Sequence, residues 1–336
     1  ATTIFEEKNN KKLQNSDFAI LYRTNSQSRA MEEALRKLNL TYKIVGGLSF
    51  YQRKEIKDLM AYFRFAVNPA DEEAFKRIIN YPKRGIGDTS VEKILVSAYE
   101  HDIPLWDVVQ NAHSFLGGRA GVSVDDFSTM IKAFQIEIER KDAFEAASSV
   151  AKQSGLLREL YEDKTIEGLS RYENVQELLN AIKEYVDNPE NEDKSLGAFL
   201  QEIALLTDND QDKSQTDAIT LMTIHASKGL EFKQVFVVGM EEDLFPSQMM
   251  MQSREDLEEE RRLFYVALTR AEQRAYLTHA RVRYRWGKLM DCEPSRFLDE
   301  LDDEHLDVHL PEVAKNYGVP RELRDAFGDP DQPQTF

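Results

Sequence analysis

Apolar residues follow two rhythms along this chain, and the switch between them divides it. Positions 18–22 read F-A-I-L-Y, a short unbroken apolar run of the kind that forms a strand buried on both faces of a parallel sheet. Helical spacing follows in Met31, Leu35 and Leu38, with Asn25 or Ser26 as the expected cap. A second strand is predicted at 42–45, closed by the Gly46-Gly47 turn. Ile56, Leu59, Met60 and Phe63 then mark an amphipathic helix. Strand, helix, strand, helix is the signature of an α/β parallel sheet.

After Asn68-Pro69 the rhythm changes. From about residue 70 to 206 the periodicity is helical and no strand is predicted. Thr89-x-x-Glu92, ahead of Ile94 and Leu95, fits a capping box. A polar linker at 208–216 precedes the return of strand patterns at 218–224, 235–238 and 275–278, with a long charged helix around 257–268. The expected architecture is an α/β parallel-sheet domain, 1–68 and 216–300, interrupted by an inserted all-α domain, 69–215. Residues 1–16 are polar and expected to fray. The acidic tail, 301–336, is punctuated by Pro311, Pro320, Pro330 and Pro333 and expected to be loosely ordered.

The 336 residues leave room for two domains, and no apolar run approaches the ~20 residues that span a bilayer. No signal-peptide pattern opens the chain, and no membrane association is expected. The single cysteine, Cys292, excludes an internal disulfide and fits a reducing, cytoplasmic setting. The six histidines show no metal-ligand spacing. A formal net charge of −17 argues against generic nucleic-acid binding. The charge is uneven, however. Arg281, Arg283, Arg285 and Lys288 cluster without an acid among them, and Lys76, Arg77, Lys83 and Arg84 bracket a glycine turn. Excess acid gathers at 187–193, 208–212 and 302–307. Local sign governs binding within a Debye length of about 8–10 Å.

Four segments carry candidate chemistry. In 221–232, L-M-T-I-H-A-S-K-G-L-E-F, a strand ends in a polar turn. Thr223 and His225 offer donors to a phosphate and Lys228 a point charge. Gly229 lets the turn close, and Glu231 offers acceptors to a hydroxyl such as a ribose. A plain strand-to-helix turn with solvated side chains is the alternative. In 258–271, E-E-E-R-R-L-F-Y-V-A-L-T-R-A, Arg270 presents a planar, permanently charged fork suited to phosphate oxygens. Taken alone it would pair with a glutamate at helical spacing, whereas Arg261 and Arg262 are expected to brace the helix through Glu258, Glu259 and Glu260. In 21–29, Arg23 and Asn25 follow a strand, and a helix cap with exposed arginines is the alternative. In 83–89, Gly85 and Gly87 between Lys83-Arg84 and Thr89 let backbone N–H groups approach a phosphate, although G-x-G alone is usually only a turn.

Together, 221–232 and 258–271 resemble the last two motifs of superfamily-1 DNA helicases of the UvrD/PcrA/Rep type, and the resemblance extends over about residues 17–300. It implies a RecA-like parallel sheet domain with a helical insertion, the C-terminal half of an ATP-dependent 3′–5′ DNA helicase. Arg270 would be the arginine finger, with Glu231 and Gly229 at the nucleotide. Thr223, His225, Lys228, Arg23 and Asn25 would face single-stranded DNA or the domain cleft. Lys83, Arg84, Gly85, Gly87 and Thr89 would grip the duplex at a duplex–single-strand junction. The segment 46–58 also resembles the family and is expected to pack and orient the domain.

The phosphate loop G-x-x-x-x-G-K-[ST] and the Asp-Glu magnesium motif are missing from the chain. They are expected upstream, in an N-terminal RecA-like half. ATP and Mg²⁺ would then serve the intact enzyme, with none bound to this chain alone, which is expected to be inactive. Two other readings stay open: a catalytically silent DNA-binding or protein-interaction module, and the motor half of a helicase–nuclease.

Overall fold

Five short strands gather most of the apolar runs: β1 (Phe18–Tyr22), β2 (Tyr42–Val45), β3 (Ile219–Thr223), β4 (Phe232–Val238) and β5 (Ala271–Thr278). They lie parallel in the order β2-β3-β1-β4-β5. The computed structural model describes residues 1–208, 217–248 and 253–307. Every residue of the central strand β1 is buried, as its unbroken apolar run requires, whereas the edge strand β5 is largely half-buried or exposed. Residues Ala1–Asp299 make one compact unit and Glu300–Phe336 another. The proline-punctuated tail beyond 307 and the expected linker, apart from its first residue, lie outside the described residues.

Helices α1 (Thr2–Lys11) and α2 (Ser28–Lys37) flank β1 in sequence. The expectation that residues 1–16 fray is overturned. Ile4 of α1 is fully buried in the cluster that holds Phe18, Ile20, Leu221 and Phe236, so one buried apolar side chain anchors a largely polar helix. The cap expected at Asn25 or Ser26 belongs instead to Thr24. A capping box between Thr24 and Gln27 opens a short 3₁₀ turn that runs into α2.

The helical region comprises α3 (Lys54–Val67), α4 (Glu72–Ile78), α5 (Asp88–Glu100), α6 (Leu105–Gln110), α7 (Ala112–Phe115), α8 (Gly118–Arg140), α9 (Ala143–Gln153), α10 (Leu156–Glu162), α11 (Ile166–Asp187) and α12 (Leu196–Asp208). Its core is continuous, with Phe65 of α3 packed on Phe75, Trp106 and Phe127 at ring separations of 5.6–6.1 Å. The buried face of α3, before the expected boundary at 69, thus belongs to the helical core. After β4 the chain returns through α13 (Arg254–Leu268), which packs on β4 and β5. A Ser253–Asp256 capping box starts it, and pairs between Glu258 and Arg261 and between Glu259 and Arg262 run along it as expected.

The basic cluster at 281–288 is a hairpin, β6 (Val282–Arg285) and β7 (Lys288–Asp291). Its charge is largely spent on neighbours. Three consecutive acids after β4 hold it: Glu241 accepts from Arg283, Asp243 lies 3.7 Å from Arg285, and Glu242 holds Arg296 just beyond β7. Arg281 and Lys288 stay exposed. The hairpin tip leans on the helical region. A side chain at Gly287, whose φ is +73°, would collide with Phe144 of α9, and Tyr284 donates to Asp187 of α11 at 2.8 Å.

Candidate nucleotide and nucleic-acid site

The strand register divides the 221–232 motif between opposite ends of the sheet. Thr223 pairs with Tyr22 at the carboxyl ends of β3 and β1, on the level that Val238 ends β4. Phe232 pairs with Ala271 at the amino ends of β4 and β5. Six residues of strand separate those levels, about 20 Å at ~3.3 Å per residue. The segment 224–231 is therefore a crossover running the length of the sheet. Thr223 and His225 begin it, and Gly229 and Glu231 end it. The strand end expected in this motif is at Thr223, and the rest of the motif carries the chain to the opposite pole.

At the carboxyl pole, Ile224 N–H donates to Tyr22 at 3.0 Å, tying the crossover to β1. The Thr223 hydroxyl accepts from Ala226 N–H at 3.3 Å, and Ser227, fully buried, donates to the Ile224 carbonyl at 2.7 Å. His225 and Lys228 are exposed. Desolvation, and then the charge of Arg23, hold the His225 pKa below the ordinary imidazole value of 6.5, while Glu260 and Glu259 pull the other way. Arg23 is not an open cation. Its guanidinium grips both oxygens of Glu260 on α13 at 2.6–3.0 Å, with side-chain exposures of only 10% and 4%. Asn25 gives its carbonyl to Arg53 at 2.9 Å and is half-buried.

Arg270 and Glu231 meet at the amino pole. Phe232 N–H donates to the Arg270 carbonyl at 2.9 Å, and Arg270 Nη1 donates to the Leu230 carbonyl at 3.0 Å, so Glu231 is bracketed by contacts to Arg270 and stays exposed. Arg270 does not take a glutamate at helical spacing. Its other donors rest on the Val266 carbonyl and the Thr269 hydroxyl, each at 3.1 Å. All three acceptors are neutral, so an anion can displace them without breaking an ion pair. That arrangement fits a nucleotide phosphate. Among the described residues, no group of three His, Cys, Asp or Glu side chains is placed to hold a metal ion.

The glycine turn in the helical region departs from expectation in two places. Arg84 points inward, donating to the carbonyls of Ile78, Pro82 and Ser154 at 3.0–3.1 Å and to the Tyr62 hydroxyl at 2.6 Å. Thr89 is not a cap, because α5 starts at Asp88 with Gly87 as its N-cap and no side-chain cap bond. Gly85 (φ +76°) and Gly87 do face open space, and Lys83 and Thr89 are exposed.

Several functional candidates were not visible in the sequence. Arg53, 7% exposed, joins Ser28 and Asn25 near the carboxyl pole to Asn174 of α11. Arg29, buried, holds Glu33, Glu177 and Glu184 at 2.7–2.9 Å, a second tie from α2 to α11. Trp286, at the turn of the hairpin, is 69% exposed between Arg285 and Lys288. An apolar residue inside a basic run was the one local signal for it.

A five-stranded parallel sheet interrupted by a long helical region is the architecture of a RecA-like domain with a helical insertion. The chain belongs to the UvrD-like helicase C-terminal domain family, which matches residues 1–282. It is 42% identical over 307 residues to the ATP-dependent DNA helicase PcrA of Staphylococcus aureus, covering 90% of this chain and 42% of the relative. The corresponding Bacillus subtilis PcrA is 43% identical over 300 residues, 87% of this chain and 40% of the relative. The chain thus spans about two-fifths of the length of these relatives. No helix among the described residues is long and apolar enough to cross a membrane.

Proposed function

We propose that this chain is the C-terminal half of an ATP-dependent DNA helicase translocating 3′ to 5′, acting with an N-terminal RecA-like half. The observation that carries this reading is the division of the sheet into two poles about 20 Å apart, within a chain of the UvrD-like family. Thr223 and His225 serve a single strand at one pole, near Arg23 and Asn25, and Lys228, further along the crossover, adds a charge for the same strand. Arg270, Gly229 and Glu231 serve ATP at the other, where Arg270 meets negative charge developing on the transferred phosphoryl group. Mg²⁺ accompanies the nucleotide. Lys83, Gly85 and Gly87, beside Thr89, meet duplex backbone at a junction, and the exposed ring of Trp286 offers a base-stacking face. We assign Arg84 to holding that turn rather than to DNA. The domain division follows the same reading, with 1–68 and 216–300 as motor, 69–215 as insertion and 301–336 as tail, α3 packing across the first boundary into the helical core, and the protein works in the cytoplasm.

In the full-length protein, Arg270→Ala is expected to lose ~10³-fold or more in ATP turnover with little change in nucleotide binding, because a guanidinium of this kind acts mainly in the transition state. Glu231→Ala is expected to weaken nucleotide binding instead. Near-normal turnover by Arg270→Ala in a steady-state ATPase assay overturns the assignment.

A further inference from the structure

The two poles are joined by a closed circuit of specific contacts. From His225 the crossover runs down to Leu230, whose carbonyl Arg270 holds at 3.0 Å. Arg270 follows α13, and eight residues of that helix, about 12 Å at 1.5 Å per residue, lead back from Leu268 to Glu260. Glu260 is 3% exposed and takes Arg23 through both oxygens, while Ser247 N–H donates to it at 3.1 Å. Arg23 directly follows Tyr22, the β-partner of Thr223, and its charge reaches His225. The links are strand and helix backbone, the 224–231 crossover and named hydrogen bonds, and charge alone closes the circuit between Arg23 and His225. The one hydrogen-bonded link between two side chains is Arg23–Glu260. Such a pair, nearly closed to water, has a single well-defined geometry and transmits a displacement of either partner.

We infer that the Arg23–Glu260 pair transmits occupancy of the strand-binding pole to Arg270, with Glu260 as a positioning residue on the finger helix. The inference rests on the functional reading above and adds to it the route by which DNA regulates ATP turnover. A phosphate drawn to His225 competes for the field of Arg23 and so shifts the balance at Glu260. Because Glu260 and Arg270 share one helix and its immediate exit, movement at one end of α13 is felt at the other.

The test uses the full-length protein, with ATP turnover measured with and without a single-stranded oligothymidylate. Glu260→Gln is compared with the double variant Arg23→Gln/Glu260→Gln, which leaves no buried unpaired charge should the single variant fold poorly. In Glu260→Gln, basal turnover, ATP KM and oligothymidylate affinity are expected to stay close to wild type; in the double variant, which alters Arg23 at the strand-binding pole, the readout is the ratio of turnover at saturating oligothymidylate to basal turnover. DNA stimulation is expected to fall about tenfold, the size of a typical coupling between sites. In this chain, the NMR-detected His225 pKa is expected to drop further in Glu260→Gln, which removes a charge that raises it. Stimulation retained in both variants overturns the inference. Equal loss of basal and stimulated turnover also overturns it, because the pair would then merely hold the fold. A wild-type protein without DNA stimulation sinks the functional reading itself, an outcome the wild-type arm reports separately.

Discussion

His225 illustrates how a single side chain acquires a property from three neighbours. Desolvation and the nearby Arg23 hold its pKa below 6.5, against the pull of Glu260 and Glu259. The ring is therefore neutral at physiological pH, and in the proposed reading it meets a phosphate as a neutral donor. Protonation adds a positive charge at the strand-binding pole, so affinity of the chain for single-stranded oligothymidylate is expected to rise as pH falls, with a midpoint below 6.5. Stability moves the opposite way. The folded state binds this proton more weakly than the unfolded state, so the contribution of the neutral ring is fully present above the unfolded value. It is lost as pH falls toward the folded pKa. Fluorescence titration of His225→Gln beside wild type, from about pH 8 to pH 5, checks the assignment. An unchanged pH dependence in the variant removes His225 from the binding pole.

At the scale of elements, the glycine turn before α5 separates access from strain. Gly85 has φ +76°, where any side chain is strained, whereas Gly87 has φ −83° and ψ 163°, which every residue adopts, and open space beside it. Gly87→Val therefore tests approach alone. It is expected to weaken binding to a duplex–single-strand junction about tenfold, ~1.4 kcal/mol, and to leave binding to a plain single strand unchanged, because Thr223 and His225 lie on the sheet. Equal loss on both substrates in a gel-shift titration shows that the turn is only structural. This turn also marks how far local pattern carries. The strands β1 and β2 and the helix α13 were legible because buried parallel strands and capped amphipathic helices imprint their own period on the residues. The inward turn of Arg84 and the hairpin β6–β7 were not. Arg84 is satisfied by carbonyls up to 70 residues away, and Arg283 by Glu241, 42 residues upstream. No local window reports such pairings. Nor does a motif quoted as a string of letters reveal that its two halves face opposite poles; that required the register of β1, β3, β4 and β5.

For the whole molecule, the decisive fact is what one pole can and cannot do. Arg270 offers one guanidinium held by neutral acceptors, and Glu231 one exposed carboxylate. A γ-phosphate and a ribose hydroxyl can be met by these two groups. The β-phosphate and Mg²⁺ need a phosphate loop and a metal-binding carboxylate pair, and the chain contains no G-x-x-x-x-G-K-[ST]. An acidic chain of net charge −17 also gains nothing from long-range attraction of a nucleotide. The chain by itself is thus expected to show no DNA-stimulated ATP hydrolysis, while keeping measurable affinity for single-stranded DNA at its carboxyl pole. Turnover is expected to return when the N-terminal RecA-like half is supplied in trans or joined covalently. The gain should vanish when Arg270→Ala is introduced into this half only, because the completed site then lacks the group proposed to act on the transition state. Steady-state ATPase assays of the purified chain, of the mixture and of the mixture with the variant make the comparison. Robust, oligothymidylate-dependent turnover by the contaminant-free chain alone overturns the reading that this is one half of a two-part motor.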